Sequence, residues 1–153
     1  MKPPKNTKYI LFGGTFILAN KLQLLGDNVV KGLTTKQWFL LVNLIDLSKS
    51  ETVTVSKLAE VMDSSRQNTA KMLEGMEKEG LVTVNQSKSD KRTRIVSITP
   101  HGLTITKESE ISSQDFLGEV FDEISKEELK TASKVTLKMI ENLERLKGKN
   151  HES

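Results

Sequence analysis

With 153 residues, 36% of them hydrophobic, and a net charge of only +3 from 23 basic and 20 acidic side chains, the chain has material for one compact domain plus a helical extension; bulk charge alone does not mark it as a nucleic-acid binder. Zero cysteines exclude a disulfide framework, a thiol nucleophile, a Cys-based zinc site and a cysteine redox sensor, and fit a reducing, cytoplasmic setting. The apolar stretches are too short to span a bilayer, so no membrane partner is expected.

Residues 1–8, Met-Lys-Pro-Pro-Lys-Asn-Thr-Lys, lack the apolar core of a signal peptide and read as a mobile basic arm. Region 9–30 follows, with a helix expected from about Tyr9 to Asp27 whose apolar content is Phe12, Phe16, Ile17, Leu22 and Leu25. The pair Gly13-Gly14 interrupts it, and each glycine costs about 1 kcal/mol against alanine. Such a helix needs tertiary or intersubunit packing. Thr34 then caps a second helix, with Gln37 at the capping-box position and Trp38, Leu40, Leu41, Leu44 and Ile45 on its buried side.

Thr52-Val53-Thr54 is short enough for a small strand, and Val55 to Met62 makes a two-turn helix ahead of a turn at Asp63-Ser64-Ser65. A polar-headed helix follows as far as Gly80, in which Thr69, Met72, Leu73 and Met76 recur at helical spacing as one buried stripe. Ser64 with Gln67 matches a capping box, Asp63 is a second candidate cap, and Gly80 stands where a left-handed stop is expected. Two β-branched runs, Leu81 to Val84 and Arg92 to Thr99, then flank a polar loop. Lys88, Lys91, Arg92 and Arg94 against the single acid Asp90 leave that hairpin tip positive. Thr99 is the cap of the next helix and Pro100 its first residue.

Beyond Gly102, Ile105, Ile111, Phe116, Leu117, Val120, Phe121 and Ile124 suggest a long amphipathic helix. Ser125 with Glu128 marks a fresh start, and Leu129, Ala132, Thr136, Ile140 and Leu143 continue as a packed seam to Leu146. The predicted fold is mainly α with a small β-hairpin wing. A winged helix-turn-helix domain occupies 31–102, region 9–30 and residues 103–147 supply dimerisation helices, and 148–153 form a tail. Surplus apolar helix surface points to pairing with a second copy. Charge is distributed to match: seven basic against two acidic residues in the first fifty, eight against eleven from Leu103 onward, as expected if the C-terminal helices face away from DNA.

The sequence resembles the MarR family of bacterial transcriptional regulators from about Tyr9 to Leu146. Asp90-Lys91-Arg92 followed by Ile95-Val96-Ser97-Ile98-Thr99-Pro100-His101-Gly102 is similar to the family's wing pattern, and Ser65-Arg66-Gln67-Asn68 with Leu73, Gly80 and Leu81 resembles the recognition helix of some members. The resemblance implies a homodimer with interlocked terminal helices, acting on a near-palindrome of double-stranded DNA. Recognition helices would enter major grooves and the wings would touch minor grooves or backbone. Val84 departs from the pattern, since many members carry arginine there, and Ile98 for leucine is a milder change. Many members also bind a small phenolic or lipophilic effector that lowers DNA affinity; Phe12, Phe16, Trp38 and Phe39 are the candidate lining here, although large apolar residues at such spacings also serve as core.

By side-chain chemistry, Arg66 suits guanine and Gln67 or Asn68 adenine. If Gln67 closes the box with Ser64 it is less free, so Arg66 and Asn68 rank first for base reading. Ser64 and Ser65 complete the DNA-facing start of the helix. Lys71 is a phosphate candidate, as are Lys88, Lys91, Arg92 and Arg94, and Asp90 is expected to hold Arg92 or the turn by hydrogen bonding. His101 and His151 have no partner at metal-ligand spacing, and no phosphate loop or nucleophile elbow occurs, so neither catalysis nor a cofactor is expected. The function expected is a cytoplasmic, ligand-responsive repressor. The alternative is a winged-helix module that docks on an acidic protein partner.

Overall fold

The computed structural model describes residues 6–29 and 32–149. Of the arm expected at 1–8, residues 1–5 lie outside the described residues, and Thr7 and Lys8 open α1. Residues 150–153 of the expected tail, His151 among them, also lie outside. The chain divides into two compact units, Met1–Phe116 and Leu117–Ser153.

In the first unit the order is α1 (Thr7–Val29), α2 (Thr35–Leu47), α3 (Val55–Val61), α4 (Arg66–Lys78), β1 (Val82–Gln86), β2 (Arg94–Ile98) and the larger part of α5 (Pro100–Val120). Helix α1 runs unbroken through Gly13 and Gly14, and no neighbour stands within 4 Å of where a Cβ would be at either. Asp27 closes its far end onto α2 by accepting from the Thr35 N–H at 2.6 Å. Helix α2 begins with the expected box: Thr34 Oγ1 accepts from Gln37 N at 3.2 Å and Gln37 Oε1 from Thr34 N at 2.8 Å.

The core is a single cluster centred on Leu40, Leu41 and Leu44 of α2, Leu58 of α3, Leu73 and Met76 of α4, and Val82 and Val96 of the hairpin, each 2% exposed or less. Burying these side chains contributes roughly 1.5–3 kcal/mol each. It is what clamps the helix-turn-helix onto the hairpin.

Strands β1 and β2 pair antiparallel with Val82 opposite Ile98, Val84 opposite Val96 and Gln86 opposite Arg94. β1 runs two residues further than the alternation suggests, because Asn85 and Gln86 still find partners across the ladder; β2 starts two residues later. The small strand expected at Thr52–Thr54 is reduced to one bridge, Thr54 to Ile95, with Val96 N donating to Val53 O at 2.9 Å. Thr54 instead caps α3, its Oγ1 accepting from Lys57 N, and this ends the extended run. Val84 occupies the place where the family pattern has arginine, and packs half-buried against the core.

The second unit holds the end of α5 and all of α6 (Lys126–Lys149). The expected amphipathic helix stops at Val120, and the chain turns through Glu123 in the left-handed region at φ 58°. Ser125 and Glu128 form the anticipated reciprocal cap, with Ser125 N donating to Glu128 Oε2 at 2.9 Å and Glu128 N to Ser125 Oγ at 3.2 Å.

Two glycines after α4 make contrasting demands. Gly80 has φ 71° but open space around it, whereas a Cβ at Gly102 would overlap the backbone carbonyl of Leu81 and crowd Ile98. Gly80→Ala should cost about 1–2 kcal/mol for the left-handed conformation alone, and Gly102→Ala about 3 kcal/mol or loss of folding, because neighbouring backbone has to move. Urea denaturation of the two variants checks the ranking, which a smaller loss at Gly102 would reverse.

Candidate nucleic-acid interface

The turn between α3 and α4 uses its serines differently from the expected pattern. Ser64 N donates to Ala59 O at 2.9 Å and Asp63 N to Glu60 O at 3.1 Å, which closes the end of α3 with Asp63 in the left-handed position at φ 43°. Ser64 therefore belongs to the turn, and the cap of α4 is Ser65, whose Oγ accepts from Asn68 N at 3.1 Å. The Ser64–Gln67 box does not form. Its absence removes the conflict over Gln67: the side chains of Gln67, Asn68 and Lys71 make no hydrogen bond among the described residues, and all three are exposed.

Opposite them, Thr69, Leu73 and Met76 face the core, so burial fixes the rotation of α4 and turns its polar N-terminal side outward. The far end is equally fixed. Gly80 N donates to Glu77 O and Leu81 N to Met76 O, a Schellman stop, and Val84 N donates to Glu77 Oε1 at 2.7 Å, tying β1 to α4.

The wing loop is organised by Asp90. Its Oδ1 accepts from Arg92 N at 2.9 Å, its Oδ2 from Thr93 Oγ1 at 2.8 Å, and its backbone carbonyl from Thr93 N at 2.9 Å. The Arg92 N–H first, and the Thr93 hydroxyl second, hold the Asp90 carboxyl below its ordinary value of 3.8. Asp90 is thus committed to its own turn, as expected. Lys88, Lys91 and Arg92 are exposed on the loop and Arg94 is half-buried at the start of β2; none of the four is in an ion pair among the described residues. Arg66 Nη2 reaches across from α4 and donates to the Arg92 carbonyl at 3.3 Å. The structure thereby brings the α4 and wing candidates onto one face.

The aromatic candidates are not brought together. Phe39 lines a recess of about 630 Å³ with Lys36, Leu40, Met62, Thr69 and Met72, among others, behind the start of α4. Phe12 and Phe16 lie elsewhere, 61% exposed on α1 and edge-to-face at 5.3 Å. Trp38 packs on the core with its Nε1 buried and unpartnered. Thr69, a lining residue of the recess, likewise has its Oγ1 buried without a hydrogen-bond partner. Sequence reasoning placed Thr69 in the core stripe and missed Lys36; a hydroxyl interrupting an otherwise apolar stripe was the available signal.

An α3-turn-α4 unit with a capped second helix, flanked by a hairpin whose cations lie beside that helix, defines a winged helix-turn-helix protein. A sequence model of the MarR family matches residues 33–93, from the start of α2 to the wing. The chain is 30% identical over 139 residues to the transcriptional activatory protein BadR of Rhodopseudomonas palustris, covering 89% of this chain and 79% of that protein. Its fold is that of a MarR protein from Peptoclostridium difficile, with TM-score 0.78 at 20% identity, 95% of this chain and 92% of the other being covered. A mutant MarR from E. coli solved with operator DNA shares it at TM-score 0.75 and 20% identity, covering 89% and 98%. The chain belongs to the MarR family of transcriptional regulators, which is not an enzyme class; membership favours regulation over the protein-docking alternative. No described helix is long and apolar enough to cross a membrane.

Because the Asp90 pKa is depressed, its grip on the turn is fully present above the ordinary carboxylate range and lost as pH falls through the lowered value. Wing geometry should therefore be constant from neutral pH down to about 4. Carbon-detected NMR titration of the Asp90 carboxyl should give a midpoint below 3.8 that Thr93→Val moves upward; a midpoint unmoved by that substitution would contradict the assigned geometry.

Proposed function

We propose that the chain acts as a cytoplasmic homodimeric repressor on pseudo-palindromic duplex DNA, with the start of α4 in the major groove and the wing on adjacent backbone or minor groove. The observation that carries this reading is the common face itself: exposed, unpartnered Gln67, Asn68 and Lys71 lie on α4, and the wing beside it bears cations outside any ion pair among the described residues. In the contact set, Ser64 and Ser65 lie at the helix start, Gln67 and Asn68 read bases, Lys71, Lys88, Lys91, Arg92 and Arg94 neutralise phosphates, and Asp90 shapes the turn.

Self-association is supported by apolar surface. Tyr9, Phe12, Phe16, Leu24 and Leu25 on α1, and Leu137, Ile140, Leu143 and Leu146 on α6, are each more than half exposed in the single chain. So many large apolar side chains on helices are a burden to a monomer and suit a second copy of the same helices. Regions 9–30 and 103–147 are accordingly assigned to dimerisation.

Effector response is assigned to the recess behind α4. Phe39, Met62 and Met72 supply an apolar wall and Lys36 and Lys71 cationic lining, which together suit a small amphipathic anion. Repression follows if the operator overlaps the polymerase site. The activatory relative favours the opposite sign for an operator lying upstream of it, and a promoter–reporter strain with and without the gene decides between them.

Fluorescence anisotropy on the duplex upstream of the gene, against a shuffled duplex, tests the contact set. Asn68→Ala should cost about 1–3 kcal/mol on the native duplex and little on the shuffled one, whereas Arg92→Ala should weaken both and reduce the salt slope by about one. Equal loss on both duplexes for Asn68→Ala would remove it from base reading. Sedimentation at micromolar concentration should give the mass of two chains, and a monomer under those conditions would defeat the dimer assignment.

A further inference from the structure

We propose that Arg66 is a positioning residue, which locks the wing to the recognition helix and does not read a base. The inference rests on the DNA-binding reading above and reassigns one of its leading base-contact candidates.

The backbone of Arg92 is held from both sides. Its N–H is given to Asp90 Oδ1 at 2.9 Å, within the wing, and its carbonyl receives Arg66 Nη2 at 3.3 Å, from α4. The carboxylate orders the loop internally but does not fix where the loop lies relative to the helix. Beyond the shared core and the Thr99 junction, two hydrogen bonds tie the hairpin to α4: Glu77 to the Val84 N–H near one end of the helix, and Arg66 to the Arg92 carbonyl at the other. The two anchor residues are eleven positions apart, about 16 Å along a helix rising 1.5 Å per residue. Two ties that far apart set the angle of the hairpin against α4, as a single one would not.

Arg66 is also an unusual choice for the first residue of a helix. A cation there opposes the helix dipole, and the first turn of α4 holds no acid to offset it. An acceptor just ahead of the helix relieves that conflict, and the Arg92 carbonyl is such an acceptor. Bidentate reading of guanine needs the guanidinium fork directed into the groove. With Nη2 given to the wing, the guanidinium is drawn toward Arg92, and its remaining N–H donors can still meet a phosphate.

On this assignment Arg66 acts on DNA through the wing. Arg66→Ala should lower affinity about tenfold on the native and shuffled duplexes alike, and its loss should shrink in the Arg92→Ala background without vanishing, because Lys88, Lys91 and Arg94 are proposed to act from the same wing. Independent contacts would instead give additive losses. In the free protein, amide hydrogen exchange at Ser89–Thr93 should quicken in Arg66→Ala and stay unchanged in Asn68→Ala. A loss confined to the native duplex and additive with Arg92→Ala, or wing exchange untouched by Arg66→Ala, would overturn the assignment. If the wild type binds neither duplex, the DNA-binding proposal fails on its own account, and the exchange measurement still decides whether Arg66 holds the wing.

Discussion

At Gly80 and Leu81 the chain leaving α4 meets the chain entering α5. Thr99 Oγ1 donates to Gly80 O at 2.6 Å and lies 3.1 Å from Leu81 O, Thr99 N donates to Leu81 O at 3.0 Å, and the same hydroxyl accepts from Gly102 N to start α5. Thr99 thus satisfies, with its hydroxyl and its own N–H, carbonyls just past the end of one helix and accepts an amide at the start of the next, while Gly102 permits the approach by having no Cβ. The hairpin between them can only leave and return at this point. Its register, the burial of Val82 and Val96, and the placing of the wing beside α4 all follow from it.

That junction solves a second problem. A two-stranded ribbon has two open edges, each a row of unpaired backbone groups. On the β2 side, Val53 and Thr54 cover the edge through Val96 and Ile95. On the β1 side, Glu77 receives the Val84 N–H. Val84 fits this arrangement as a half-buried apolar residue packed against the core, so replacing the family's arginine takes one charge from the wing base while adding to the packing that holds it.

Elements defined by short-range rules were legible in the sequence. The Thr34–Gln37 and Ser125–Glu128 boxes, the Gly80 stop, the Thr99 cap and the buried stripe of α4 each depend on residues within about two helical turns of one another. The Ser64–Gln67 box had the same signature and failed, because Ser64 was required by the closing turn of α3; two local rules competed for one residue and the preceding helix prevailed. What could not be read was any tie across the fold. Arg66 to Arg92, Glu77 to Val84 and the recess joining Lys36 to Thr69 link residues whose proximity depends on how α4 packs, which no periodicity encodes. The aromatic set shows the same limit: on sequence alone, exposed apolar residues of α1 and recess-lining ones of α2 look alike.

The placing of the recess bears on how an effector could act. It opens between α2 and the N-terminal half of α4, where Asn68 and Lys71 line it, so on the proposed reading a molecule that separated α2 from α4 would tilt α4 at the end assigned to DNA. The opposite end is held by the Schellman stop and by Glu77. Through Arg66 the same tilt reaches the Arg92 carbonyl, so helix and wing shift together. A coupling free energy of about 1–3 kcal/mol, typical of such switches, would then need only a small rotation, because it would be applied at once to both elements proposed to contact DNA. Without the Arg66 tie the wing could keep its phosphates while the helix moved, and the effector would alter sequence preference more than affinity.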